Sequence, residues 1–171
     1  MAKYQNKIKY LFYWIIIFIV SGSMIVYGIS KPIQFQSFKD SVNVNVSEGH
    51  RLMWTFYSYS LAYPVIIGIC EIAGGVSLLF SRTRIFGCVL LTIVLSNIII
   101  QDYIYEISAL QSAIYYQTLI LILLIFDYKN VQEIATKLFS SNNSNKNIAL
   151  IILAFLVAIL AKYLEAKINY Y

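Results

Sequence analysis

A single histidine, two cysteines and a charged fraction of 12% leave few of the usual soluble chemistries open to this chain. His50 alone cannot supply a bis-histidyl haem or a histidine-rich metal site, so neither metal nor haem is expected within the chain. Cys70 and Cys88 lie inside apolar runs and form no C-x-x-C, which argues against a zinc site or a thioredoxin-like dithiol. The chain also lacks G-x-S-x-G, H-E-x-x-H, a P-loop and G-x-G-x-x-G, so hydrolytic and nucleotide chemistry have no visible foothold and no catalytic residue is expected. The net charge of +5 does not point to nucleic acid, because the lysines and arginines flank apolar segments instead of forming a stripe on one face.

What the chain has in excess is apolar sequence: 60% hydrophobic residues, against roughly 45–50% in a soluble domain. The surplus falls into five runs, at residues 10–29, 64–80, 85–104, 107–126 and 148–164. A helix needs about 20 apolar residues to cross the hydrocarbon. The pattern predicts an all-α integral membrane protein, residues 1–171 forming one membrane domain: a four-helix transmembrane bundle plus a fifth C-terminal transmembrane helix. The first run has a competing reading as a signal peptide with Ser21-Gly22-Ser23 at its cleavage site. Apolar residues continue through Met24, Ile25, Val26 and Tyr27, so a retained span is expected. The last run ends in Lys162, Glu165 and Lys167 and also suits a helix lying along the interface.

The positive-inside rule sets an expected orientation. With the N-terminus in the cytoplasm, Lys3, Lys7, Lys9, Arg82, Arg84, Lys129, Lys137 and Lys146 lie inside, and Lys31, Lys39, Arg51, Lys162 and Lys167 outside. The short Ser81 to Arg84 turn is purely basic, whereas Gln101 to Glu106 carries Asp102 and Glu106. The C-terminus is therefore expected outside, residues 30–63 as an outer aromatic loop and residues 127–147 as a cytoplasmic loop. His50, Trp54, Tyr57, Tyr59 and Tyr63, joined by Tyr103, form the expected outer aromatic rim. This rim reads either as an ordinary belt of headgroup-level aromatics or as a lid over a ligand cleft. Within it His50 is a surface residue or a proton carrier near the outer mouth.

Glu71 is the informative position, since an ionisable group well inside an apolar run costs several kcal/mol, on the order of 3, unless paired, neutralised or hydrated. On a helix Gly68, Glu71 and Gly75 fall in one sector, a small-residue face suited to close helix contact. The short following turn makes the next helix antiparallel, with Gly87, Val94, Asn97 and Gln101 on a shared face, and Asn97 is the expected partner of Glu71. Ser21, Ser23 and Gln117 fall in the same outer half. Glu71, Asn97, Gln101, Gln117, Ser21 and Ser23 thus form either a set of interhelical hydrogen bonds or a ligand, quinone or proton site.

The stretch Phe56-Tyr57-Ser58-Tyr59-Ser60-Leu61-Ala62-Tyr63, then Gly68-Ile69-Cys70-Glu71-Ile72-Ala73-Gly74-Gly75, then Leu78-Leu79-Phe80-Ser81-Arg82-Thr83-Arg84, resembles the DoxX-like membrane proteins; Gly87, Asn97 and Gln101-Asp102 continue it. The resemblance spans about Trp54 to Tyr128 and implies a four-helix core in a bacterial cytoplasmic (inner) membrane. That family takes its name from a small subunit of a membrane quinone oxidoreductase acting on thiosulfate, and other relatives are partners of redox enzymes or assembly factors. The added fifth run and the lack of a sulfur-binding cysteine site set this chain apart, so thiosulfate oxidation is not carried over. The expected function is a non-catalytic membrane subunit, scaffold or assembly factor of a complex that binds a lipid or quinone in the outer half of the bilayer. Its expected partners are membrane lipid and another membrane or extracytoplasmic protein. A quinone-linked oxidoreductase component using Glu71 as proton carrier and a small transporter are the rival readings.

Overall fold

The computed structural model describes residues 2–36, 46–140 and 147–168. Among them the chain is all-α, with seven helices: α1 (Ala2–Gln36), α2 (Glu48–Tyr59), α3 (Ala62–Leu79), α4 (Arg84–Ile104), α5 (Leu110–Phe126), α6 (Tyr128–Phe139) and α7 (Ile148–Ile168). Four helices are long and apolar enough to cross a membrane: α1 from Lys7, α3, α4 and α7. The α5–α6 pair adds a fifth if its 81° bend is a break within one span.

Two expected loops prove to hold helices. The segment 30–63 begins as the end of α1 and then forms α2, with residues 37–45 and the expected outer Lys39 outside the described residues. Ser47 caps α2 by accepting the His50 N–H at 3.2 Å, and Glu48 sits in its first turn, where the helix dipole favours an acid. The segment 127–147 begins with α6, while residues 141–146, including the expected inner Lys146, lie outside the described residues.

The chain divides into two compact units, residues 1–134 and 135–171. In the second, α7 is apolar on every side from Ile148 to Leu160, which is the pattern of a helix surrounded by apolar material. Its polar end carries a one-turn pair, Lys162 to Glu165, at 2.7 Å.

In the first unit α1 packs on α3, α3 on α4, α4 on α5, and α5 back on α1, so four helices close a ring. Its middle is filled by Ile17, Val20, Leu78, Leu91, Ile120 and their neighbours. Glycines set the closest approaches. A Cβ on Gly28 would lie 2.5 Å from the Gly68 carbonyl oxygen, and one on Gly68 would collide with the Gly28 carbonyl, so α1 and α3 touch backbone to backbone. Pro32 has no N–H to give the carbonyl four residues back, which leaves the Gly28 oxygen outside the α1 ladder and directed at this contact. The other face of α3 meets α4 through Gly74 and Gly87: a Cβ on Gly87 would lie 2.8 Å from the Gly74 carbonyl oxygen. Small residues on two faces of one helix are what close packing on two neighbours requires.

The α4–α5 turn closes through Glu106, whose φ of 54° is left-handed. The Ile107 N–H donates to the Asp102 carbonyl at 2.8 Å across it, the six-to-one bond of a Schellman ending. This turn brings Ile107 under α2, where Phe35, Met53, Tyr57 and Ile107 form a second, smaller core.

Candidate functional site

Glu71 is 2% exposed and its partner is Lys31, whose Nζ lies 3.2 Å from Glu71 Oε1 and whose side chain is 14% exposed. Helix geometry explains the pairing. Lys31 follows Gly28 by three residues and Glu71 follows Gly68 by three, so in antiparallel helices they start on opposite sides of the glycine crossing. Side chains lean toward the N-terminus of their own helix. Here that tilt brings the two long chains toward each other.

The expected Glu71–Asn97 pair is therefore corrected: Asn97 is exposed. The stripe of α4 that turns inward is Gly87, Leu91, Leu95 and Asp102. At about 100° per residue Asn97 lies roughly a third of a turn from its centre. Lys31, assigned from sequence to the outer surface charge, is likewise corrected to a cation held against a buried acid.

Glu71 and Lys31 open into a cavity of about 160 Å³ that also holds Asp102, at 3% exposure. Its walls come from α1 (Met24, Tyr27, Phe35), α2 (Met53, Trp54, Tyr57), α4 (Leu95, Ile98) and α5 (Ala113, Tyr116). The exposed residues Gln34, Ala109 and Ser112 also line it, so it reaches the surface between the end of α1 and the start of α5. Each of its two acids has a buried carboxyl oxygen, Glu71 Oε2 and Asp102 Oδ2, with no hydrogen-bond partner among the described residues. Buried polar atoms are nearly always satisfied, which makes two orphans in one cavity a property of the site that needs a cause.

The aromatic rim divides. Trp54 and Tyr57 line the cavity, and Phe35 stacks on Tyr57 with ring centres 4.5 Å apart. The Tyr57 hydroxyl donates to Gln101 Oε1 at 2.5 Å, and burial holds this phenol above its ordinary range. His50 stacks on Trp54 at 4.0 Å from outside the cavity, and burial lowers its pKa. Tyr63 packs on Tyr57, while Tyr59 and Tyr103 are exposed. Met53, Trp54 and Tyr57 of α2 stand in the cavity wall.

The remaining expected polar residues do not join the cavity. Ser21 is buried where α1 meets Gly75, Ser23 is half-buried, and the Gln117 amide donates to Thr92 at 3.4 Å. Gln101 reaches the site only through Tyr57. Asp102 was passed over as a surface acid of a turn; its position eleven residues after Leu91, on the same helical stripe, is the signal that finds it.

A second polar cluster lies at the opposite end of the ring. Arg84, 8% exposed, donates from Nε to the Leu78 carbonyl at 2.9 Å and from Nη1 to the Tyr13 hydroxyl at 2.9 Å. The Tyr13 hydroxyl donates in turn to Asp127 Oδ2 at 2.5 Å. The guanidinium carbon lies 5.2 Å from the ring centres of both Tyr13 and Trp14. This network joins α1, the end of α3, the start of α4 and the end of α5.

No family model matches the chain, and no solved structure matches it. A protein of Bacillus subtilis (strain 168), uncharacterized protein YwoB, is 31% identical to it over 111 residues, which is 64% of this chain and 72% of that protein. The chain belongs to the YwoB family. Membership adds no chemistry of its own, so the site of this family member is read from its geometry.

Proposed function

We propose that this chain is a DoxX-like multi-pass membrane protein whose cavity holds a lipid or quinone, serving as a non-catalytic subunit, scaffold or assembly factor of a membrane complex. In this reading α1, α3, α4 and α5 form the transmembrane bundle and α7 a further span. The N-terminus is cytoplasmic, and the α2 end faces outward in a bacterial inner membrane, where another membrane or extracytoplasmic protein docks. The observation that carries it is the cavity beneath α2, apolar along most of its wall and bearing two unsatisfied carboxyl oxygens. An apolar pocket with a few convergent polar groups is the usual form of a small-ligand site.

Purification in mild detergent followed by mass spectrometry is expected to recover a lipid or quinone from the wild-type chain and less of it from Glu71→Gln. A second measurement is complementation of a deletion strain by Glu71→Gln at wild-type abundance. Full rescue together with unchanged ligand recovery would leave Glu71 with a packing role alone and sink the ligand site. The proton-carrier reading draws support from the same unpartnered Glu71 Oε2, and a quinone in the extract would favour it. The transporter reading has less support, since Ile17, Val20, Leu91 and Ile120 fill the middle of the ring.

A further inference from the structure

The cavity beneath α2 has an unbalanced charge inventory. Among the described residues that line it, Lys31 is the one cation, and Glu71 and Asp102 are the two acids. Lys31 acts electrostatically on both carboxyl groups but makes its ion pair with Glu71 Oε1. Both acids are more than nine-tenths buried, both line the cavity, and each has one oxygen without a hydrogen-bond donor. With all three groups ionised the cavity carries one negative charge in excess. A buried charge without a counter-charge is strongly disfavoured, so one further positive charge belongs in the site.

We propose that this charge is the protonated amine of a ligand, and that the cavity is a site for a small ammonium head carried on an apolar body. The proposal rests on the ligand-cavity reading and narrows it to one chemistry. An ammonium group has several N–H donors and no acceptor, which matches two acceptor oxygens with nothing to accept. Trp54, Tyr57, Phe35 and Tyr116 present rings in the wall, and aromatic faces attract ammonium groups. The volume of about 160 Å³ is that of a cavity able to hold one small ring-sized group, room for a short head rather than a whole lipid. The opening at Gln34, Ala109 and Ser112 gives the apolar body a way out. A divalent metal fits less well, because calcium wants six to eight oxygen ligands and the site places a lysine among its few polar groups. A quinone head, which only accepts hydrogen bonds, leaves both carboxyl oxygens unsatisfied.

Where no amine is bound, a proton on one of the two acids, which line the cavity with Lys31 and Tyr27 of α1, Tyr57 of α2 and Tyr116 of α5, would supply the missing charge. The amine therefore displaces a proton, and the exchange gives the test. The full chain with Trp14→Phe, so that Trp54 alone reports, is titrated in mild detergent with hexylammonium, hexanol and hexanoate. Hexylammonium is expected to change Trp54 emission saturably, at least tenfold more tightly than hexanol. Its apparent Kd is expected to fall about tenfold per pH unit where the acid pair holds its proton. Asp102→Asn should weaken hexylammonium at least tenfold and remove the pH slope, and Glu71→Gln gives the same readout should that variant fail to fold. Retention of phosphatidylethanolamine over phosphatidylcholine by native mass spectrometry would name an aminolipid head as the source; equal retention with hexylammonium binding intact would name a free amine. Hexanol binding as tightly as hexylammonium, or the absence of a pH slope, overturns the ammonium proposal while keeping a ligand cavity. Tighter binding of hexanoate overturns it in favour of an anion site led by Lys31. Failure of all three probes, with nothing co-purifying, overturns the cavity reading as well.

Discussion

At the Arg84 end of the helical ring, the polar groups answer one another: the guanidinium satisfies a helix-terminal carbonyl and a phenol, and the phenol satisfies Asp127. At the α2 end, Lys31 answers half of Glu71, and an oxygen each of Glu71 and Asp102 is left over. Both clusters use an acid, a base and tyrosines in an apolar setting, so residue type alone does not separate them. What separates them is closure. A satisfied network ties four elements together, whereas an unsatisfied one beside a cavity is a site waiting for another group.

The hardest test of that contrast is at Arg84. Arg84→Met should cost about 3 kcal/mol in equilibrium unfolding, since it strands the Leu78 carbonyl and takes the cation away from the Tyr13–Asp127 bond. A cost below about 1 kcal/mol would mean that the network is solvated and that the two ends do not differ. Gly68→Ala follows, at about 1–3 kcal/mol, because its methyl meets the Gly28 carbonyl and α1 must move away. Gly22, on the same helix as Gly28, has nothing within 4 Å of a Cβ, so Gly22→Ala should instead stabilise by up to about 1 kcal/mol. Asp102→Asn should be neutral or stabilising by up to about 1 kcal/mol, the opposite sign from Arg84→Met, because it puts a neutral amide of similar shape in place of a buried acid that makes no ion pair.

The smallest effect is at His50. Its lowered pKa means that the folded chain holds the imidazole neutral more readily than the unfolded chain does. The stability it contributes is thus complete above the unfolded value of about 6.5 and is lost as pH falls from there through the folded value. Unfolding followed between pH 8 and pH 5 should show this slope, and His50→Gln should flatten it.

Much of the helical plan was legible in the sequence, because long apolar runs leave few alternatives: the expected runs at 64–80, 85–104, 107–126 and 148–164 fall on α3, α4, α5 and α7. Gly68, Glu71 and Gly75 do share the face that meets a neighbouring helix. The neighbour is α1, however, and its identity depends on which helices pack, which a local pattern does not encode. The rotation of α4 was misread by somewhat more than a quarter turn, because Val94, Asn97 and Gln101 look as plausible an inward stripe as Leu91, Leu95 and Asp102 in a helix that is apolar nearly all round. α2 was hidden by its aromatics, which read as a headgroup belt or a lid without a helical period of their own; Met53 and Tyr57 are its buried side. The Tyr13–Arg84–Asp127 chain spans 114 residues of sequence and had no local signature.

The crossing of Gly28 and Gly68 also has a consequence for how the chain is made. α1 leaves the ribosome before α3, and its Lys31 lies near one end, where a long side chain reaches the interface at little cost. Glu71 sits deeper in α3 and arrives alone. In the membrane reading, the glycine contact gives the newcomer a docking groove in which the countercharge is already mounted, so partition of α3 into the bilayer and its pairing with α1 become one event. The first helix then serves as a template for the insertion of the third, and the acid that makes α3 a poor membrane segment in isolation is the feature that obliges it to find α1.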